Sequence, residues 1–405
     1  MTNKQADTKR ALVVGLGIAG MSAAIGLHQA GWTPVIVEKA SERRTGGYFI
    51  GLFEPGQKAA TQLGVLNAIH TRTPRPTATY RIEEDGERQR IAGFLDQPEK
   101  PEVVLRSDVE AGLWTRIDGQ VEVRFNTSPT AITQQADGAT VTLKNNATGE
   151  IKEETFDLVV GADGVRSTVR LLTFGPHELY MDDWGTIICA FQMEDQVPGF
   201  TDQDGLLAYE PRRALWVFPF SDRAPTGLFI YRTDDTNAQF TKPPIEVIRS
   251  VFGDMDDPVV KHGLDALAKA RNFLFDSVNV VDMPHWVKGR VIVTGDAAWC
   301  LTLTSGMGTS AALLGGAELG KAAGEHPNDL EAALRHWESQ MRPFIDKQRI
   351  PALLKRQAFV PANRFVHWLV SGLMLKGGRK LAEVEHKQAS KEWKNAAEHH
   401  RNQFG

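Results

Sequence analysis

An α/β fold around a parallel sheet is predicted by three observations, each a short apolar run that ends in a glycine turn. Residues 11–14 lead into Gly15-x-Gly17-x-x-Gly20, a helical pattern, and a second run, 35–37, that closes on Glu38. Residues 158–160 run into Gly161-Ala162-Asp163-Gly164 and a helix start. Residues 291–293 precede Thr294, Gly295-Asp296, a stretch with no amphipathic period, and a Gly306-Met307-Gly308 turn; small residues then continue at helical density. Such uninterrupted runs are strands covered on both faces. A strand, a glycine turn and a helix start together present free backbone N–H groups to an anionic or electron-rich ligand.

The first of these units carries the dinucleotide fingerprint. Gly15 permits the tight turn, Gly17 lets a pyrophosphate approach the backbone, and Gly20 with Ala24 lets the helix lie close to the strand. Glu38 stands where an acid hydrogen-bonds an adenosine ribose. Lys39, Arg43 and Arg44 then precede Gly46-Gly47. That loop reads either as backbone passing close to something flat or phosphorylated, or as a surface loop with solvated arginines.

Residues 55–66 predict a helix, and 79–91 a hairpin turning at Asp85-Gly86. The run 103–105 enters another helix with Arg106 at its start and Ser107 or Asp108 as N-cap. Arg106 suits a phosphate clamp, or is an ordinary charge of a capping region. Segments 121–125, 139–144 and 150–156 predict a small antiparallel meander. Past Gly161, Arg166 and Arg170 suit phosphates or a second nucleotide.

Strands are expected at 185–191, 206–209, 214–220 and 227–231. Trp216, Phe218, Phe229 and Tyr231 alternate along them, so one face is a candidate wall of an aromatic pocket; plain core packing is the competing reading. Arg212 and Arg213 suit an acidic substrate or a solvated turn. Helices at 246–252 and 258–269 and a strand at 272–281 follow. Beyond Gly316 the pattern is helical to the end, with breaks at Pro343, Pro351 and Pro361. Segment 365–376 is apolar enough on one side to cover a pocket mouth or a dimer partner, and a charged, exposed helix is expected after Arg379.

Composition narrows the function. A chain of 405 residues holds two or three cores. Net charge is −4 at pH 7 with no long basic run, which argues against a nucleic-acid partner. Cys189 and Cys300 form no C-x-x-C pair, which suggests a reducing compartment. The polar first ten residues lack a signal-peptide core, and the longest apolar stretch, 365–375, is far short of a bilayer span. A cytoplasmic protein without an integral membrane span is expected, as monomer or homodimer. His386, His399 and His400 lack the companions of a metal site, so no metal is expected.

Gly15–Gly20 with Glu38, the Gly161–Arg170 motif and Gly295-Asp296, in that order, resemble the three markers of the single-component, class A FAD-dependent monooxygenases, the aromatic-hydroxylase group. The Thr45-Gly46-Gly47-Tyr48 loop and the Ser305-to-Ser310 turn are similar to the branch containing the tetracycline-inactivating enzymes. The resemblance covers residues 10–345. It implies a Rossmann-type FAD-binding domain with a β-sheet substrate domain and C-terminal helices, like p-hydroxybenzoate hydroxylase. The FAD domain would comprise 1–75, 101–180 and 271–330, the substrate domain 76–100 and 181–270, and a helical region 331–405.

By the same resemblance, Gly15, Gly17, Ile18, Ala19, Gly20 and Glu38 hold the ADP half of FAD, with Lys39 near the adenine. Gly47 and Arg106 approach the flavin, Asp296 holds the ribityl chain or pyrophosphate, and Gly306, Met307 and Gly308 lie along the isoalloxazine. Asp163, Arg166 and Arg170 touch FAD and a transient NADPH or NADH, with Arg44 as a further contact to the latter. Trp216, Phe218, Tyr231 and Leu303 line the pocket of an aromatic or polycyclic substrate. The implied reaction oxygenates that substrate with O2 through a flavin C4a-hydroperoxide; no catalytic side chain is singled out.

Competing readings are an FAD-dependent reductase or dehydrogenase, and a flavin-containing protein that sequesters a ligand without turnover. A flavin halogenase is disfavoured because no Trp-x-Trp-x-Ile-Pro segment occurs. One departure stands out. Many relatives have prolines between the Gly-Asp pair and the Gly-x-Gly turn, where this chain has Leu301, Thr302 and Leu303. Without them the loop is expected to be more pliable and more apolar.

Overall fold

A computed structural model describes residues 8–43, 46–82, 87–97 and 101–383. Arg44 and Asp85-Gly86 fall in the gaps, and His386, His399, His400 and the rest of the tail from residue 384 on lie outside the described residues; of the tail expected as an exposed helix, residues 380–383 are described, and they are helical. The chain divides into two compact units. One comprises 1–73, 101–186 and 277–356; the other comprises 74–100, 187–276 and 357–405. Segment 331–405, expected to stand as one region, is thus shared between them.

The first unit is built on a six-stranded sheet ordered Val287–Lys288, Val291–Val293, Leu158–Gly161, Arg10–Val14, Thr33–Val37, Glu122–Arg124. All pairings are parallel except the first, and Leu12 sits between Val159 and Val35. Leu12, Val35, Val159 and Val291 are all essentially inaccessible, as a sheet covered on both faces requires. The three glycine turns therefore emerge along the same edge, at the carboxyl ends of adjacent parallel strands, where open α/β sheets bind ligands.

Helix Ile18–Gln29 crosses helix Gly308–Glu325 at unusually short range. A Cβ on Gly316 would stand 2.3 Å from the Ser22 carbonyl carbon, and one on Gly320 would stand 2.3 Å from the Gly26 oxygen. Larger residues at Gly26, Gly316 or Gly320 would force the helices apart, and with them the two glycine turns from which they spring.

The meander differs from expectation. Its strands are Thr127–Gln134, Ala139–Asn145 and Ile151–Phe156, while Glu122–Arg124 pairs in parallel with Val35–Val37 as an edge of the main sheet. Thr127–Gln134 is polar and carries Pro129, where the register slips, so it lacks a strand's usual apolar alternation. Helix Leu330–Phe359 runs through Pro343 and Pro351 without ending. Its buried side, Leu334, Trp337, Met341 and Ile345, supplies the packing that offsets two lost backbone hydrogen bonds.

The second unit is built on a seven-stranded sheet ordered Phe273–Val281, Met181–Gln192, Thr226–Arg232, Arg213–Phe218, Asp204–Glu210, Ala78–Ile82, Arg88–Ile91. Helices Pro244–Phe252 and Pro258–Lys269 cover one face, burying Cys189, Phe191, Leu215, Val217, Phe229 and Tyr231 with Ile248, Phe252 and Val260. Burial raises the Cys189 thiol to about 12 and pushes the Tyr231 phenol up as well.

Candidate cofactor site

At the first glycine turn, Gly15 has φ +108°, and a Cβ there would lie 2.5 Å from the Ala162 carbonyl oxygen. Only glycine meets both demands. Gly20 is equally constrained, its Cβ position falling 1.9 Å from the Gly15 oxygen. Gly17, by contrast, has space, its nearest neighbour being an Arg106 guanidinium nitrogen at 3.6 Å from the Cβ position. It precedes a helix with no side-chain cap, so the first N–H groups are left for another acceptor. Ile18 is buried and Ala19 half-buried. Glu38 at the neighbouring strand end accepts from the backbone N–H of Leu16 (2.9 Å) and Ala40 (3.0 Å), which fixes its carboxylate beside the turn. Lys39 is exposed.

Arg106 begins the helix Arg106–Ile117. The N-cap is Leu105 rather than Ser107 or Asp108. Asp108 instead reaches back to the Leu105 N–H (2.8 Å) and pairs with Arg72. This reciprocal carboxylate frees the side chain of Arg106 to point across the Gly17 turn. There it meets Glu110, one turn on, at 3.0 Å. Burial works against the Arg106 charge, but Glu110, Tyr48 and Asp296 outweigh it and raise its pKa. Gly47 runs against the same helix start, since a Cβ there would lie 2.7 Å from the Ser107 nitrogen.

Asp296 follows Gly295, whose φ of +61° turns the chain against Ala19. Asp296 is exposed to solvent as a residue, yet protein surrounds its carboxyl closely. Burial is the largest influence on it and raises its pKa, opposed by Arg106 and by a hydrogen bond with Cys300. A residue that is exposed while its carboxyl is closely surrounded lines a recess. Cys300 is half-buried, and burial and the Asp296 charge push its thiol well up, so it stays a neutral donor to the carboxylate.

The segment between Asp296 and Gly306 is locally ordered by helical turns and hydroxyl bonds. It forms two helical turns, Asp296–Trp299 and Thr302–Ser305. Thr302 takes φ +64°, a strained value for a β-branched residue. Hydroxyls hold it there: Thr302 and Thr304 share a 2.8 Å hydrogen bond, Ser305 Oγ donates to the Thr302 carbonyl, and the Met307 N–H donates to Ser305 Oγ. Leu301 is buried and Leu303 half-buried. Gly306 is left-handed, Met307 is buried, and Gly308 opens an uncapped helix with nothing within 4 Å of its Cβ position.

Two arginine-motif residues have structural partners. Ser167 caps the helix Thr168–Thr173, and Asp163 supports that cap, accepting from Ser167 Oγ and from the N–H groups of Thr168 and Val169; burial raises its pKa against these bonds. Arg170, expected at a nucleotide, is wholly buried and donates to the carbonyls of Ala297 (2.8 Å) and Val165 (2.6 Å). It props the Asp296 turn from behind. Arg166 is exposed, with Ser277 Oγ at 3.4 Å.

In the second unit the expected aromatic face is divided. Cross-strand partners share a face, and Tyr231 opposes Arg213 and Phe229 opposes Leu215, whereas Trp216 opposes Leu228. Phe229 and Tyr231 therefore lie under the helices, with the Tyr231 hydroxyl donating to Gln239. Trp216 and Phe218 stack on the other face, joined by Phe94 at 6.1 Å and Phe359 at 5.1 Å. The Trp216 indole N–H donates to the Phe359 carbonyl at 3.0 Å.

Three glycine turns, a carboxylate at the end of the second strand and a second carboxyl near an arginine fit an ADP-linked cofactor with a polyol chain. Residues 8–329 match the FAD binding domain family. The chain belongs to that family. Relatives include flavin-dependent monooxygenases from an unknown prokaryotic organism (25% identical over 396 residues, 94% of each chain) and from Legionella longbeachae (28% over 348 residues, 83% of this chain and 85% of the relative). An uncharacterized Mycobacterium tuberculosis protein is 29% identical over 361 residues, covering 84% of this chain and 92% of its own. Solved structures of the same fold include tetracycline destructase Tet(51) (TM-score 0.72, 22% identity, 92% and 96% coverage) and a Klebsiella pneumoniae HpxO variant complexed with FAD (TM-score 0.73, 20%, 93% and 97%). The open Cβ positions at Gly17 and Gly308 fit the FAD that this family binds.

Residues not foreseen at this site are Tyr48, Glu110 and Cys300. Glu110 and Cys300 each lie four residues after a charged group already singled out, a helical spacing that was the available signal. Among the described residues no helix is long and apolar enough to cross a membrane, and no group of three His, Cys, Asp or Glu is placed to hold a metal.

Proposed function

We propose that this protein is an NAD(P)H-consuming, FAD-dependent monooxygenase that inserts oxygen into an aromatic or polycyclic small molecule. The observation that carries the reading is the meeting of Gly17, Arg106 and Asp296 in one recess. Bound FAD supplies the redox chemistry and the activation of O2. The chain's own work is binding and electrostatics. Uncapped N–H groups after Gly17 take the pyrophosphate, Glu38 takes the adenosine ribose, Asp296 accepts from the ribityl hydroxyls, and Gly306–Gly308 leaves room for a flat ring. Gly15, Ile18, Ala19, Gly20, Lys39 and Gly47 shape or border that cradle. Arg106 lowers the Asp296 pKa against the burial that raises it. Arg166, exposed beside the Ser167-capped helix, is a contact for the transient nicotinamide cofactor.

For the substrate, the Trp216–Phe218 face with Phe94 and Phe359 is the aromatic surface of the second unit suited to a flat apolar molecule. Tyr231, committed to Gln239 on the helix-covered face, is left out. Flat substrates accord with the neighbours: HpxO has been crystallised with uric acid, and another neighbour is an oxygenase of a methyl-hydroxypyridine carboxylic acid. The test is a screen of aromatic and polycyclic compounds for stimulated NADPH oxidation, with mass analysis of the product. Stimulated oxidation with a gain of one oxygen supports the reading. A compound reduced or returned unchanged with no oxygen gained points to a reductase or a sequestering protein.

A further inference from the structure

The second unit carries an apolar surface that neither its core nor the proposed reaction uses. Residues 364–383 form a helix whose inner side is docked on the seven-stranded sheet. The Met374 carbonyl accepts from the Ala92 N–H, Gly378 lies against the backbone of Arg90, and the His367 ring tilts over Tyr209 at 4.5 Å. Tyr209 and Ser371 hydroxyls are hydrogen-bonded to each other. Ser371 Oγ also donates to the His367 carbonyl at 2.6 Å. The helix is therefore fixed, and its outward side is set by the same docking.

That outward side is apolar where an ordinary surface helix is polar. Phe365 and Trp368 are each 69% exposed, Leu373 62% and Leu369 45%. At helical spacing (365, 368/369, 372/373) these fall in one stripe, with Gly372 between them. The stripe continues one turn further as Lys376, Arg379 and Lys380, all exposed, and Arg364 stands exposed at its start. Over 364–383 there are thus four cations against one acid, Glu383. Contiguous apolar patches of this kind mark an interaction site.

We infer that this face docks on an anionic lipid surface, lying in the interface plane without spanning the bilayer. Two observations select that occupant. First, the four side chains expose on the order of 500 Å² when each large side chain is taken as about 200 Å², whereas a stable protein interface buries about 800 Å² per partner. A second copy would be held weakly by this stripe alone. Second, the chain carries a net negative charge of −4, yet this stripe is bounded by cations at both ends. Trp, Phe and Leu on one side with Lys and Arg beside them is the pattern of an interfacial helix. The rings sit at headgroup depth and the cations at the phosphates. The location would give the enzyme access to substrates that partition into membranes.

The test is co-sedimentation of the full-length, FAD-loaded protein with phosphatidylcholine vesicles and with vesicles containing roughly one-third phosphatidylserine. The wild type is expected to sediment with the anionic vesicles about tenfold better than with the neutral ones, and to be released by salt. Trp368→Ser with Leu373→Ser should abolish sedimentation, while Lys376→Gln with Lys380→Gln should remove the preference for phosphatidylserine. All four positions are solvent-exposed, so the variants should keep wild-type circular dichroism and flavin content. The inference is overturned if the wild type stays in the supernatant at low salt, or if both variants sediment as it does. It is also overturned if analytical ultracentrifugation reveals a dimer that Trp368→Ser dissociates, which would assign the face to self-association.

Discussion

Arg106 is the side chain on which the electrostatics of the recess turn, and Arg106→Met tests it with little loss of stem volume. The guanidinium lies 3.0 Å from Glu110, and its charge lowers the Asp296 pKa against a burial that raises it. Hydrogen bonds to charged groups contribute about 1.5–3 kcal/mol. The Arg106 side chain is 27% exposed, which places the loss toward the low end, about 1–2 kcal/mol. At about 1.4 kcal/mol per tenfold, the dissociation constant for FAD should rise roughly 5- to 30-fold. The pH dependence has a sign too. Asp296 binds ribityl hydroxyls best as the carboxylate, and its pKa is already raised; without Arg106 it rises further. FAD affinity should therefore begin to fall at a higher pH on acidification in the variant than in the wild type. Arg106→Lys keeps the charge but not the planar fork, and should restore the pH profile more fully than the affinity. Fluorescence quenching of FAD titrated into apoprotein across the pH range is the assay. A dissociation constant within about twofold of wild type and a superimposable pH profile would refute the assignment of Arg106 to the cofactor.

Other consequences follow from the same geometry. Gly316→Ala places a Cβ 2.3 Å from the Ser22 backbone; the helix crossing must open, and denaturant unfolding should show a loss of about 2–4 kcal/mol together with weaker FAD binding. Cys300→Ala removes a donor to Asp296 and should weaken FAD binding a few-fold, about 0.5–1.5 kcal/mol, with Cys300→Ser recovering most of it; equal affinity in all three proteins would sink that role. Glu154 is held at about 2 because the bonds from Arg124, Lys152 and Arg10 overcome its partial burial. Its folded pKa lies below the unfolded value, so the stability it lends is present above the unfolded pKa and lost as pH falls toward about 2. Glu154→Gln should remove on the order of 1–2 kcal/mol at neutral pH and flatten the acid limb of the stability curve.

Much of the fold was legible because its signals are local. Each parallel strand is a short apolar run stopped by a glycine turn, and Gly15 and Gly20 are dictated by contacts within one β-α-β unit. What was missed depends on partners distant in sequence. Whether Glu122–Arg124 joins the meander or the main sheet is decided by Val35–Val37, some 85 residues upstream. Pro343 and Pro351 end no helix because a buried row of side chains outweighs the local rule. At the site, Arg170 reads as a phosphate ligand until the Ala297 carbonyl appears beside it, and Tyr231 reads as a pocket wall until its cross-strand partner fixes its face. The absent prolines between Asp296 and Gly306 pointed to no particular conformation of the loop; the hydroxyls of Thr302, Thr304 and Ser305, unremarkable as a sequence, bond to one another and to the backbone there.

The most direct measurement of the central claim is turnover under isotopically heavy dioxygen, with NADPH as donor and a compound that stimulates its oxidation. The account predicts a product carrying one heavy oxygen atom, formed in proportion to the NADPH consumed, and only by FAD-loaded protein. A product that lacks the heavy atom, or has taken its oxygen from water, would contradict it.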